Sequence, residues 1–273
     1  MKNGKSHVLK ALTGERAFKA ATISVLALLT LFFTGIVLSM AVYTDWHTLF
    51  STLISREILF AIRLSLTTAT IATVISIAIA IPVAYAISQT EFPGKDIIDT
   101  ILDLPIVISP IALGAALLVF FNTPIGAGIE NRALRFVFEV PGIVLAQFTV
   151  ISALAVRLLK STFDSIDPRY EQVGRTLGCS KLKAFLRITL PLARDGLIAA
   201  GILTWARAVG EFGATVMLVG ATKMKTETLP IAIFLNLATA DVEKAVAVIF
   251  ILIAISAAAL IVLRRISGKR WQI

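Results

Sequence analysis

Six long apolar runs constrain the fold of this 273-residue chain more than any other feature. They lie near residues 20–42, 58–87, 101–121, 140–159, 196–219 and 245–263. Each run has at least about 20 residues, which is enough to cross the hydrocarbon core of a bilayer as a helix. Backbone polar groups in lipid must bond within their own segment, so helices are favoured. The sequence therefore predicts an all-α polytopic membrane protein with six transmembrane helices.

Composition supports the same class. The chain is 57% hydrophobic and 16% charged, with a mean hydropathy of +0.88, which excludes an ordinary soluble domain. The first run is too long for a signal-peptide core and predicts a retained anchor. With no strong internal repeat, we expect one transmembrane domain over 20–265, flanked by a cytoplasmic N-terminal segment, 1–19, and a cytoplasmic tail, 266–273.

The Lys and Arg residues predict the orientation. With both termini inside, eighteen of them fall in cytoplasmic segments and six in external ones. Such a bias in short loops favours cytoplasmic termini and a cytoplasmic loop over 164–194, in a multi-pass protein of the cell inner membrane. The net charge of +9 is then mostly a consequence of this topology, and it also favours contact with anionic lipid of the bilayer. Bases do not interleave with aromatic residues, so no nucleic-acid partner is expected.

Catalytic constellations are not found in the sequence. Cys179 is the only cysteine, and the two histidines, His7 and His47, are forty residues apart with no second ligand at metal spacing. We therefore expect no catalytic residues, no metal site and no cofactor. We also expect that the chain does not hydrolyse ATP by itself.

Polar residues inside the apolar runs are the candidates for a pathway or a gate. Arg207 and Glu211 are four residues apart in the fifth run, so they share a helix face and can neutralise each other. Such a pair either stabilises a helix contact or serves the pathway, and Thr215 follows it closely. In the second run Thr70, Thr73 and Ser76 lie at three-residue spacing and either line a polar path or bond to carbonyls of their own helix.

Prolines mark places where the runs can bend. Pro82 lies late in the second run, and Pro105 and Pro110 lie at the beginning of the third. Each removes a backbone hydrogen bond that must be made up within the protein.

The charged segment 164–194 lies between two apolar runs. Asp167 and Pro168 predict the start of a short helix, Gly178 its left-handed end, and Ser180 the cap of a second helix. Tyr170, Val173 and Leu177 share one face of the first helix by their spacing and predict a docking surface. The second helix carries Lys181 and Phe185.

This segment resembles the cytoplasmic coupling loop of ABC importer permeases, whose motif reads Glu-Ala-Ala, three residues, Gly, nine residues, Ile, one residue, Leu-Pro. Gly178, Ile188, Leu190 and Pro191 match that spacing. The three leading positions hold Gln172, Val173 and Gly174, while Glu171 is one residue early. A one-residue offset turns a side chain by about 100°, so Glu171 need not inherit the role of the motif's glutamate. If motif position matters more than charge, a change at Gln172 is expected to be the more damaging.

The string Ala206 to Thr215 (ARAVGEFGAT) narrows the resemblance to permease subunits of molybdate/tungstate ABC importers, within the wider molybdate and sulfate group. The resemblance implies a type I ABC importer permease fold and alternating access for an oxyanion. It also implies three partners: a second copy of the chain, two separate ABC ATPase subunits and an extracytoplasmic oxyanion-binding protein. The ATPase-coupling residues would be Tyr170, Glu171, Gln172, Val173, Gly174, Gly178, Lys181, Phe185, Ile188 and Pro191.

Three other functions can be compared with this one. A sulfate/thiosulfate importer permease differs only in its substrate. An autonomous secondary carrier has no need of the 164–194 loop and often shows inverted repeats. A membrane enzyme needs an intramembrane constellation, but the apolar runs contain no histidine.

Overall fold

The computed structural model describes the backbone of residues 2–132 and 134–267, and the side chains of that part except 2–14, 17, 266 and 267. The expected tail 266–273 therefore lies outside the described residues from 268 onward. The described helices are α1 (Lys2–Met40), α2 (Trp46–Ile54), α3 (Arg56–Gln89), α4 (Lys95–Val107), α5 (Pro110–Phe121), α6 (Pro124–Arg132), α7 (Val140–Asp164), α8 (Arg169–Thr176), α9 (Lys181–Ala184), a π-helical turn (Phe185–Thr189), α10 (Leu190–Leu192), α11 (Arg194–Val209), α12 (Gly213–Val219), α13 (Leu229–Ala238) and α14 (Val242–Ser267).

Short polar side chains start several of these helices. Asp45 accepts a hydrogen bond from Thr48 N at 2.7 Å before α2, and Ser55 accepts one from Ile58 N at 3.3 Å before α3. Each satisfies a backbone donor that the first helical turn leaves free. The helix starts are thus fixed locally by the sequence.

Four helices of the described part are long and apolar enough to cross a membrane: α1, α3, α7 and α14. The third and fifth predicted spans are each a pair of helices that meet at a break. The prolines of the third run predicted its bend, whereas the bend of the fifth was not predicted. Helices α4 and α5 meet at a bend of 108°, and α11 and α12 at a bend of 53°. The count is six only if each bent pair is one span.

Proline explains the first break. The ring of Pro110 disfavours helical backbone at the preceding residue, and Ser109 is extended at φ −61°, ψ 143°. Ser109 then accepts from Ala112 N at 3.3 Å and caps α5. Pro82 and Pro105, in contrast, lie within α3 and α4, which continue past them.

Small residues bring the central helices together. Helices α3 and α7 pack along their length, and α11 packs against both of them. Their buried alanines include Ala69, Ala72, Ala80, Ala84, Ala146, Ala155, Ala200 and Ala208. Small side chains let helix backbones approach closely in a membrane, where no hydrophobic force drives helices together.

The two broken spans pack against each other through α5 and α12. A Cβ at Gly114 would overlap the backbone of Ala214, and one at Gly213 would crowd Pro110 and Ile111. Glycine at both positions therefore permits the backbones to touch where the two breaks lie. In contrast, none of the most apolar window of α1, between Phe18 and Met40, is buried. Helix α1 runs without interruption from Lys2, so the expected N-terminal segment, as far as it is described, continues the first span.

Candidate functional site

The 164–194 loop has the local structure that its sequence predicts. Asp167 Oδ1 accepts from Arg169 N at 2.9 Å at the start of α8. Gly178 is left-handed at φ +93°, its N donates to Arg175 O at 3.0 Å, and Cys179 N donates to Gly174 O at 3.1 Å. These two bonds form the Schellman motif that ends a helix. Ser180 Oγ then accepts from Lys183 N at 3.4 Å before α9.

Glu171 fastens α8 to the membrane-spanning bundle. Tyr85 Oη, near the end of α3, donates to Glu171 Oε1 and Oε2 at 3.0 and 2.8 Å. Thr189 Oγ1 donates to Glu171 Oε1 at 2.5 Å from the π-helical turn. One carboxylate therefore joins α8, α3 and the chain segment that leads into α11. Gln172, at the motif position, is exposed instead.

The loop has an inner side that packs on the bundle. Phe185 lies between Tyr85 and Phe163, with ring centroids 4.6 and 6.3 Å away. A Cβ at Gly174 would strike Ile188 Cδ1, so glycine permits α8 to lie against the π-helical turn. Phe185, Gly174 and Ile188 thus hold the loop in place and do not contribute to its free surface.

The outer side of the loop is apolar and uncovered. Its large apolar side chains are Tyr170, Val173, Leu177, Leu182 and Leu186, and we call this set the docking face. Tyr170 and Val173 are each 58% exposed, and Leu177 is 81% exposed. Lys181, Gly178 and Pro191 are also exposed. Five exposed large apolar side chains so close together in a charged loop are typical of a protein-binding site.

Arg207 and Glu211 form the expected ion pair, although they do not lie on one helix face as their spacing suggested. Arg207 Nη1 lies 2.6 Å from Glu211 Oε2. Helix α11 ends at Val209, so Glu211 belongs to the break and not to the helix face that the four-residue spacing suggested. There its Oε1 accepts from Ala214 N at 3.0 Å and satisfies the first turn of α12.

The two members of this pair differ in exposure. The Glu211 side chain is 1% exposed, whereas that of Arg207 is 40% exposed. A buried carboxylate is stabilised by its partner, and the guanidinium keeps access to the surface of the chain. Arg207 is thus the accessible charge of the break.

The structure does not bring all pathway candidates into one hydrogen-bonded site. Thr73, Ser76 and Thr215 are buried, and their hydroxyl oxygens have no hydrogen-bond partner among the described residues. The alternative that the hydroxyls of the second span bond to their own helix holds for Thr70, which donates to Leu66 O at 2.6 Å. It does not hold for Thr73 and Ser76.

Several polar residues that position these elements were missed in the sequence. Arg157 bonds to the carboxylates of Asp99, at 2.9 Å, and Asp103, and it ties α7 to α4. Gln147 Nε2 donates to Ala208 O at 3.0 Å near the end of α11. Tyr85 holds Glu171 from a position 86 residues away. Their signal in the sequence is only a polar side chain within an apolar run.

Comparison with known proteins identifies the family of this chain. Residues 79–272 match the family described as "Binding-protein-dependent transport system inner membrane component". The chain belongs to this family. The match includes the 164–194 loop and the Arg207–Glu211 break, and it confirms the resemblance to permease subunits of ABC importers.

Named relatives lie within the same family. The chain is 34% identical to a protein of Haloferax volcanii named "Probable molybdenum ABC transporter permease protein HVO_B0370", over 80% of this chain and 79% of the relative. It is 34% identical to "Molybdenum transport system permease protein ModB" of Escherichia coli (strain K12), over 77% of this chain and 95% of the relative. It is 35% identical to "Molybdate/tungstate transport system permease protein WtpB" of Pyrococcus furiosus, over 82% of this chain and 84% of the relative.

A solved structure shares the fold. A chain in the crystal structure of a bacterial alginate ABC transporter, in complex with an alginate pentasaccharide-bound periplasmic protein, superposes with a TM-score of 0.76. The superposition covers 96% of this chain and 98% of that one at 15% sequence identity. This likeness supports the all-α permease fold, and family membership is consistent with a non-catalytic membrane component.

Proposed function

We propose that this chain is the permease subunit of an ATP-driven importer for an oxyanion, molybdate or tungstate. Two copies of the chain would surround the path, two separate ABC ATPase subunits would bind the docking face, and an extracytoplasmic protein would deliver the anion. The substrate class rests on the names of the relatives, which are molybdenum or molybdate/tungstate permeases. A sulfate/thiosulfate importer is the second candidate, because its substrate is a similar dianion.

The anchored docking face is the observation that carries the ATPase part of the proposal. Its side chains are exposed on a loop that Glu171, Phe185 and Ile188 hold to the bundle. A force applied to α8 by a bound ATPase would therefore reach α3 through Tyr85 and α11 through Thr189. An autonomous carrier has no use for such a surface.

The breaks in the third and fifth spans are the proposed place of gating. Broken helices within a membrane occur where the backbone is buried in protein or lines a cavity. Arg207 is half-exposed beside the buried Glu211. Its positive charge can attract a passing anion, while Glu211 balances that charge when no anion is present. Thr215, Thr73 and Ser76 offer buried hydroxyls in the same bundle. Six spans with both termini cytoplasmic complete the proposed topology.

Transport by the purified components tests this function. The chain, its ATPase and its binding protein would be reconstituted in proteoliposomes, and uptake of labelled molybdate, tungstate and sulfate would be measured. We expect uptake only with ATP on the ATPase side, with molybdate or tungstate preferred over sulfate. Uptake by the chain alone would identify an autonomous carrier, and a preference for sulfate would favour the second candidate.

A further inference from the structure

A cavity of about 690 Å³ lies at the end of the bundle opposite the docking face. The turn between α1 and α2 and helix α2 line it on one side, and helices α3 and α14 line it on the other. Helix α3 begins at this end, where Glu57 pairs at 2.8 Å with Lys223 of the 220–228 loop between α12 and α13. Tyr85, near the other end of α3, holds the docking-face loop.

The cavity is about as deep as one leaflet of a bilayer. Its lining residue Leu66 lies about 15 Å along α3 from Arg56, where that helix begins. Ile255 lies about 20 Å along α14 from Val242, which begins that helix at the same end, since Tyr43 before α2 shares a second cavity with Val242. Half of the hydrocarbon core of a bilayer is about 15 Å thick. Because α3 and α14 are membrane-spanning helices, the cavity reaches about the middle of the membrane.

The cavity opens sideways, toward the bilayer. Ala254 lines it and is nevertheless exposed, and this residue lies near the middle of the α14 span, far from either end. Helix α1 does not close the opening, because none of its most apolar window is buried. Lipid beside α14 therefore has direct access to the cavity.

Polar and apolar groups are separated along the cavity. Its deep walls are apolar, with Leu66 on α3 and Phe250 and Ile255 on α14. Its polar groups lie at the shallow end, where Trp46 is exposed, as is typical of tryptophan at a membrane surface. There Thr44 Oγ1 is buried and has no hydrogen-bond partner within the described part of the chain. A membrane lipid has the same order of groups, with polar oxygens at the surface and hydrocarbon below them.

An empty cavity of this kind is unfavourable, because its lining atoms lack contacts on one side, and an apolar cavity does not hold water well. We propose that it holds one hydrocarbon chain of a lipid from the leaflet at this end of the bundle, with the Thr44 hydroxyl donating to an oxygen near the lipid headgroup. The lipid completes the packing of α2 on α3 and α14. Asp45 is the one charged residue among the described residues that line the cavity, so a headgroup with an ammonium suits it better than an anionic one.

The experiment uses the full chain in mild detergent, with phosphatidylethanolamine as the probe. Native mass spectrometry counts the lipids that stay bound. Thermal unfolding measures stabilisation by added lipid, because a ligand that binds only the folded state raises its melting temperature. Ala254→Phe fills the cavity from α14, and Leu53→Trp fills it from α2 and takes its place if Ala254→Phe does not fold. Ala257→Phe is the matched control, at an exposed alanine of α14 that does not line the cavity.

We expect wild type and Ala257→Phe to retain one lipid per chain and to melt at a higher temperature when lipid is added. The cavity-filling variant should bind the lipid at least about tenfold more weakly and gain no stability from it. Thr44→Val keeps the size of the side chain and loses one hydrogen bond, so it should bind about fivefold more weakly.

Three results would overturn the proposal: equal lipid retention by wild type and the cavity-filling variant, equal stabilisation of the two by added lipid, or a wild type that retains no lipid. The last result is expected if a second copy of the chain fills the cavity. Binding by Thr44→Val as tight as that of wild type would reject the role of the hydroxyl.

Discussion

At the scale of single residues, one buried carboxylate decides how the fifth span is built. Glu211 takes a hydrogen bond from Ala214 N and an ion pair from Arg207, so it both caps α12 and bridges the break. Burial of a carboxylate without such partners would be strongly unfavourable. The four-residue spacing in the sequence predicted the pair correctly. It could not show that the helix between the two residues ends at Val209.

The unequal exposure of this pair leads to an asymmetric prediction. Arg207→Gln leaves a fully buried carboxylate without its cationic partner, whereas Glu211→Gln leaves a half-exposed guanidinium. We expect the first change to destabilise the chain more, by up to about 3 kcal/mol, and the second to cost less. The double substitution should recover most of the stability. Thermal unfolding in detergent, with transport measured in parallel, gives the comparison.

Strictly additive losses in the double variant would contradict the pairing. If transport returns together with stability, the pair is structural. If stability returns while transport stays lost, at least one of the two charges serves the path.

At the scale of elements, local signals were predictable and long-range ones were not. Asp167, Gly178 and Ser180 act within three residues of themselves, so their roles in starting and ending α8 and α9 could be predicted from the sequence. The break in the fifth span was missed because a count of apolar residues does not report the direction of the backbone, whereas the break in the third span was indicated by its prolines. Pro110 carried a signal, since it forces Ser109 out of the helix. The bond between Tyr85 and Glu171 joins residues far apart in sequence and left no pattern.

The anchoring of α8 reverses one expectation from the motif. Position in the motif favours Gln172 as the more sensitive residue, but the structure gives the contacts to Glu171 and leaves Gln172 exposed. We expect Glu171→Ala to destabilise the loop by at least about 2 kcal/mol, since hydrogen bonds to a charged group are lost and two hydroxyls are left without their acceptor. Gln172→Ala is the matched control and should stay within about 0.5 kcal/mol of wild type.

Hydrogen exchange of α8 and substrate-stimulated ATP hydrolysis in the assembled complex measure this difference. Glu171→Ala should speed exchange in α8 and weaken the stimulation. Greater damage from Gln172→Ala than from Glu171→Ala would show that the motif position governs coupling.

At the scale of the whole molecule, the chain has two differently built ends joined by α3. One end exposes the docking face on a loop that Tyr85 holds through Glu171, and the other end holds the 220–228 loop through Glu57. The breaks near Pro110 and Glu211 lie between these ends. Movement imposed on the docking face would reach the breaks through the contacts among α3, α7 and α11. Such an arrangement suits a protein that opens alternately on its two sides.

Binding of the partner ATPase to the docking face tests this account most directly. Val173→Ser and Leu177→Ser together remove two exposed apolar side chains without touching the anchoring residues. Val42→Ser, at an 85% exposed site outside the docking face, is the control. Burial of each large apolar side chain stabilises a complex by about 1.5–3 kcal/mol, and about 1.4 kcal/mol corresponds to a tenfold change in Kd. We predict that the double variant stays folded and binds the ATPase at least about tenfold more weakly, while Val42→Ser binds it as wild type does. Equal binding by all three proteins would contradict the account.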